Sequence, residues 1–167
     1  TTQLKDDIVV PGTLTSVGAN AFYTSGITSI EINLTDSISN GISFSSTFQA
    51  CPNLKSAKIS GHIDTMTRTF WNCSSLETFD TTNLTVRYLN EYCFSSCSKL
   101  SGSLTLNFLK SPTAAASIYG ALYARNEGES VNGNFYKCTS LEEVKLLGEI
   151  SEITSGANFY GCSTLKR

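Results

Sequence analysis

A seven-residue phrase recurs along this chain, with phenylalanine first, cysteine fourth and leucine seventh. It reads Phe48-Gln49-Ala50-Cys51-Pro52-Asn53-Leu54, then Phe70-Trp71-Asn72-Cys73-Ser74-Ser75-Leu76, and returns at Phe94, Phe135 and Phe159. A degenerate first copy, Phe22-Tyr23-Thr24-Ser25-Gly26-Ile27, has Ser25 in place of cysteine and is one residue short. Successive phenylalanines lie 26, 22, 24, 41 and 24 residues apart. A unit this short cannot bury its own apolar face, so neighbouring units must stack into a solenoid.

Each phrase runs into an alternating stretch that reads as a strand with one apolar face. Ile27, Ile30 and Ile32 form the first such set, and Leu54, Ala57 and Ile59 the second. Leu76 with Phe79, Leu100 with Leu104 and Leu106, and Leu141 with Val144 and Leu146 follow. Stacked, these predict a parallel sheet along one face. A looser apolar set precedes each phenylalanine (Leu14 and Val17; Ile38, Ile42 and Phe44; Ile63 and Met66; Val86 and Leu89; Val131; Ile150 and Ile153) and supplies the opposite wall. Gly18, Gly41, Gly61, Asn90, Gly133 and Gly156 sit between the two sets, where turns with positive φ are expected. The step of 41 holds ~17 residues beyond one coil. There Ser111-Pro112 reads as a helix start, and Ala115, Ile118 and Leu122 predict a short amphipathic helix over 113–125, within an insertion spanning about 111–130.

Five of the six cysteines share the fourth position of the phrase and so form one column of the stack. Cys93 directly precedes Phe94, where Ala21 precedes Phe22. A column of parallel Cβ vectors disfavours the disulfide torsion, so all six read as reduced, buried packing residues. Metal binding at Cys93 and Cys97 would need further ligands, and the chain has one histidine and no CxxC pair.

The phrases VPGTLTSVGANAF, FQACPNLKSAKI and FYKCTSLEEVKL resemble the BspA-like (treponemal-type) leucine-rich repeat of bacterial surface proteins. The stretch MTRTFWNCSSLETFDTTNLT is similar to the related repeat of mycoplasma-type surface lipoproteins. The fold class expected is an α/β repeat: a β-rich leucine-rich-repeat solenoid with a parallel sheet on one face, about six coils and one inserted short helix. It forms a single domain over 1–167. Because the chain opens within a coil and closes at Leu165-Lys166-Arg167, where another inward strand should begin, we expect a fragment of a longer protein. The resemblance implies a non-enzymatic binding or adhesion module, secreted or at a cell surface, with a protein or glycan ligand. A structural spacer within a longer repeat array is the alternative.

The residues agree with a non-catalytic role. No phosphate loop, zinc-protease helix or nucleophile elbow is present. His62 and Asp64 read as solvated residues of a turn, and the adjacent Glu142 and Glu143 point to opposite faces of a strand. No cofactor or metal is implied. A net charge of -2 and a pI near 5.4 lack the basic footprint of a nucleic-acid partner. No apolar run approaches the ~18 residues of a membrane span, so this segment inserts into no membrane. Low charge (16%) and abundant Ser, Thr, Asn and Gly suit an extracellular surface.

Two columns are candidate ligand surfaces. One is the residue after each phenylalanine, where Tyr23, Trp71, Tyr136 and Tyr160 make an aromatic stripe interrupted by Gln49 and Ser95. Such side chains suit protein or sugar ligands, and they equally shield the turn above the cysteines. The other is the outward strand column of Glu31, Lys58, Asp80, Thr105 and Lys145, whose mixed signs suit mutual neutralisation on a solvated face. Uncapped coil edges are expected to permit end-to-end association. Asn33, Asn72 and Asn83 open formal glycosylation triplets.

Overall fold

In the computed structural model, residues 6–34, 41–109, 116–118, 133–153 and 158–166 are described. Among the described residues ten strands follow in chain order: β1 (Ile8–Leu14), β2 (Ser29–Leu34), β3 (Ser43–Ser45), β4 (Ser56–Thr67), β5 (Thr78–Asp80), β6 (Leu84–Leu89), β7 (Gly102–Phe108), β8 (Ala116–Ile118), β9 (Leu141–Leu147) and β10 (Ile150–Ile153). Every pairing is parallel. They wind a β-rich solenoid of about four turns, fewer than the six coils expected.

Strands line two faces of the coil, not one. On the first face β1, β2, the first half of β4 and β5 lie side by side, with Ile30 beside Ala57 and Ala57 beside Phe79. On the second, β3, the second half of β4 and β6 do the same, with Phe44 beside Met66 and Ile63 beside Val86. The looser apolar set is therefore strand as well, because backbone groups packed against a core must find partners in the next coil. Ile38 and Val131 of that set lie outside the described residues. β4 serves both faces and bends at Gly61, which has a φ of 98° and touches the Leu34 carbonyl so closely that no Cβ would fit. Gly148 has a φ of 103°, and a Cβ there would meet the Phe108 carbonyl.

The repeated phrases close the coil on a third side and stack as ledges. Phe22, Phe48, Phe70, Phe94 and Phe135 each donate their N–H to a carbonyl one coil on: Thr47, Thr69, Cys93, Asn134 and Asn158. The residues two after each phenylalanine, Thr24, Ala50, Asn72, Ser96, Lys137 and Gly161, all have positive φ, as do Asn20, Ser46, Arg68 and Tyr92 two before. Left-handed backbone was expected at the turn glycines. It occurs at Gly41 and Gly61, but not at Gly18 or Asn90, and Gly156 lies outside the described residues. The ledges take it instead, because alternate N–H groups must all point at the next coil. Those inter-coil bonds offset the steric cost.

Inside the ledges the six phenylalanines form one ladder, with neighbouring ring centroids 5.4, 5.2, 5.6, 5.4 and 5.1 Å apart. Phe94 and Phe135 stack as closely as the rest although 41 residues separate them, so the insertion leaves the ladder unbroken. The expected helix is corrected where it can be seen: Ala116–Ile118 is strand, paired with β6 and β10, and no helix occurs among the described residues. The rest of 111–130 lies outside them.

Beside the rings runs a thiol ladder. Cys51, Cys73, Cys97, Cys138 and Cys162 each donate Sγ–H to the phenylalanine carbonyl one coil back, at 2.9, 2.9, 3.1, 3.0 and 2.9 Å. All six thiols are free, and five are buried, with Cys162 half-buried. Cys93 is also buried and donates to the Met66 and Asn90 carbonyls. Cysteine thus fills a narrow space and gives the phenylalanine carbonyl, which already accepts the N–H three residues on in its own ledge, a second hydrogen bond. Ser25 takes the same place in the first ledge, 3.4 Å from the Cys51 sulfur.

Candidate functional site

His62 is not a turn residue. It lies on β4, buried, with Nδ1 3.0 Å from the Thr85 hydroxyl, while Asp64 is paired with Arg87 at 2.5 Å. Glu142 and Glu143 are held by Lys166 and Lys145 at 2.5 and 3.0 Å. No cluster of three or more His, Cys, Asp or Glu side chains suits a metal ion among the described residues. Burial raises the Cys93, Cys97, Cys138 and Cys162 thiols, which keeps them protonated and poor nucleophiles.

The outward column of the first face lies in register, with Glu31 beside Lys58, Lys58 beside Asp80, and Thr105 beside Lys145. Lys58 Nζ meets Glu31 at 2.8 Å, and that carboxylate, with Asp80 further off, raises the ammonium above its usual range. Asp80 accepts from the Thr82 hydroxyl and N–H at 2.6 and 2.9 Å, which lowers its carboxyl. The charges of this column are spent on one another and on their own turn. Exposed pairs of this kind contribute little to stability.

The aromatic column divides into parts. Tyr136 and Tyr160 stack at 5.7 Å, with the Lys137 ammonium 5.0 Å from the Tyr136 ring. Tyr23 stands apart and is 47% exposed, while Ser95 is buried. Trp71 turns away from the column onto Tyr92, at 5.2 Å. The Arg68 guanidinium lies 5.8 Å from the Trp71 ring and 5.5 Å from Tyr92, and pairs with Glu91 at 2.6 Å. Arg87, paired with Asp64, lies 5.9 Å from the Tyr88 ring on the same flank. Sequence reading missed Arg68, Arg87, Tyr88, Glu91 and Tyr92. A signal existed: Arg68 and Glu91, like Asp64 and Arg87, are 23 residues apart, one repeat, and hence neighbours across coils.

At the corner between the two faces lies an open groove of about 750 Å³. Thr13, Asn33, Ser60, Asn83 and Asn107 line it, with Leu34, Gly61 and Leu84 at the bend. None of its lining residues is charged.

Among known families, one model matches, that of the BspA type leucine rich repeat region, in six copies over residues 1–111 and 128–167. The chain belongs to the BspA-type leucine-rich repeat family. The stretch between the matched segments falls within the insertion, so the copies and the phenylalanine ladder agree on what is repeat. No curated protein and no solved structure matches. BspA-type repeats are non-catalytic scaffolds that occur in bacterial surface proteins and serve as modules for protein interaction. No described helix of this BspA-type chain is long and apolar enough to cross a membrane.

Proposed function

We propose that this chain is a non-catalytic adhesion module, secreted or displayed on a cell surface, that binds a host or microbial protein through the flank carrying Trp71. One observation carries the reading: the only tryptophan of the chain, Tyr92 and Arg68 form a single cluster at the surface. Trp, Tyr and Arg are the residue types that dominate binding energy at protein interfaces. Here the rings and guanidinium hold one another, so little side-chain entropy is lost on contact. Tyr136 and Tyr160 extend the surface along the ledge, and Tyr23 lies toward its other end. Glu31, Lys58, Asp80 and Lys145 play a lesser part, since they already neutralise their neighbours.

An array of extracellular-matrix and cell-surface proteins, probed with the purified chain, identifies the ligand. A folded Trp71→Ala/Tyr136→Ala variant should then lose at least ~10-fold in affinity, as truncated hot spots do. Unchanged binding by that variant removes the aromatic surface from the reading.

A spacer role in a longer array, with end-to-end stacking, is the second reading, and the ledge geometry favours it. Each ledge bonds the next through the same backbone groups, as Phe135 and Lys137 do with Asn158 and Tyr160, so the stacking can repeat coil upon coil. Concentration-dependent sedimentation together with silence on the array would support the spacer over adhesion.

A further inference from the structure

We propose that the corner groove is a second binding site, separate from the Trp71 flank, for an extended neutral oligosaccharide. Five consecutive strands or turns each place one hydrogen-bonding side chain along it: Thr13 from β1, Asn33 from β2, Ser60 from β4, Asn83 from the turn before β6, and Asn107 from β7. The register sets Thr13 beside Asn33 and Asn33 beside Ser60, the Asn83 carbonyl accepts the Gly61 N–H at 2.8 Å, and Asn107 lies beside Thr85, two residues on from Asn83. Three steps of inter-strand spacing, from Thr13 to Asn83, make the in-register row roughly 14 Å long, and Asn107 stands at its end, displaced along the strand direction.

The fold makes little use of these amides. Ser60 donates to Asn33 Oδ1 at 2.7 Å, which leaves the Asn33 NH₂ for a ligand. The Asn83 and Asn107 side chains bond to no described protein group. An asparagine amide offers an acceptor and two donors side by side, which matches a pair of neighbouring sugar hydroxyls. With no charged residue in the lining, an acidic or basic chain gains nothing there, while an uncharged polyhydroxyl chain can pair at every rung.

Spacing separates a sugar chain from a peptide. The rungs advance by ~4.8 Å, whereas alternate side chains of an extended peptide recur every ~6.7 Å and fall out of phase within two rungs. The units of an extended β-linked hexose chain advance by close to one rung each. Gly61 lets β4 bend tightly against the Leu34 carbonyl, and that bend forms the corner of the groove. The groove has no aromatic platform, so affinity rests on hydrogen bonds and is weak, in the millimolar range.

The test is a titration of the isotope-labelled chain with a linear β-1,4-linked glucose tetramer, following the side-chain NH₂ signals of Asn33, Asn83 and Asn107. These signals should shift together, with tighter binding by the tetramer than by the dimer. Asn83→Ala/Asn107→Ala should weaken binding ~10-fold, from two lost hydrogen-bonding groups, with an unchanged melting temperature. Trp71→Ala should leave this titration untouched, so failure of the Trp71 reading and failure of the groove are told apart. The proposal is overturned if the three amides stay still. It is equally overturned if a sulfated tetramer or an uncharged Ser/Asn-rich peptide shifts them as strongly as the neutral sugar.

Discussion

Replacing Gly61 with alanine should cost this solenoid ~2–4 kcal/mol, although the change adds one methyl group. Two effects add. At a φ of 98° a residue with a Cβ occupies backbone space that costs ~1–3 kcal/mol. The new methyl would also run into the Leu34 carbonyl, a backbone atom fixed by the β2–β4 ladder, so the corner itself must move. A tighter unfolded ensemble returns only ~0.4–1 kcal/mol. For a domain of this size the net loss lowers the melting temperature by roughly 5–15 °C. The control is Gly18→Ala, where φ is not positive and no atom lies within 4 Å of the place a methyl would take. That change should leave stability within ~0.5 kcal/mol or raise it slightly. Thermal and urea unfolding by circular dichroism measure both. If Gly61→Ala melts within about 2 °C of the parent, or if Gly18→Ala is the more damaging, the corner argument is wrong.

Phe70→Ala should cost ~3–5 kcal/mol, because its ring is fully buried between Phe48 and Phe94. Phe159→Ala should cost about half of that or less, since Phe159 is 40% exposed with one ring neighbour in the ladder; equal costs would argue against a ladder. Native-state labelling with a thiol reagent near pH ~8 should modify the half-buried Cys162 ahead of Cys73, Cys93, Cys97 and Cys138, which react only on unfolding. Rapid labelling of Cys97 by mass spectrometry would contradict the thiol ladder. The lowered carboxyl of Asp80 makes its contribution to stability present above pH ~4 and lost as pH falls through its folded value. Asp80→Asn should therefore flatten the acid limb of the stability profile, and an unchanged limb would show that the Thr82 bonds do not stabilise the turn.

The period of the phrase was enough to place phenylalanine, cysteine and leucine inside, because stacking is a one-dimensional rule that spacing alone expresses. It also separated the insertion from the repeat, as the unbroken step from Phe94 to Phe135 bears out. The pattern Leu-x-x-apolar-x-apolar led correctly to parallel strands on the first face. Strand on the second face was not legible, since Ile63, Met66, Val86 and Leu89 are spaced loosely and owe their pairing to the coil beside them. Ala116–Ile118 shows the same override: helical spacing yielded to partners waiting on β6. His62 is buried for a like reason, held on a strand that the first face carries around the corner.

The candidate surfaces divide along the same line. That Trp71 and Tyr136 follow a buried phenylalanine, and so sit at the edge of a ledge, is written in the chain order. Which neighbours they meet depends on the register between coils, and steps of unequal length leave that register open. Register brings Arg68 and Tyr92 to Trp71, and brings three asparagines from separate coils to one groove. Local order names the inward residues, since burial in a solenoid repeats with the coil. The outward contacts depend on the register of each coil against the next, and that register exists only once the stack is built.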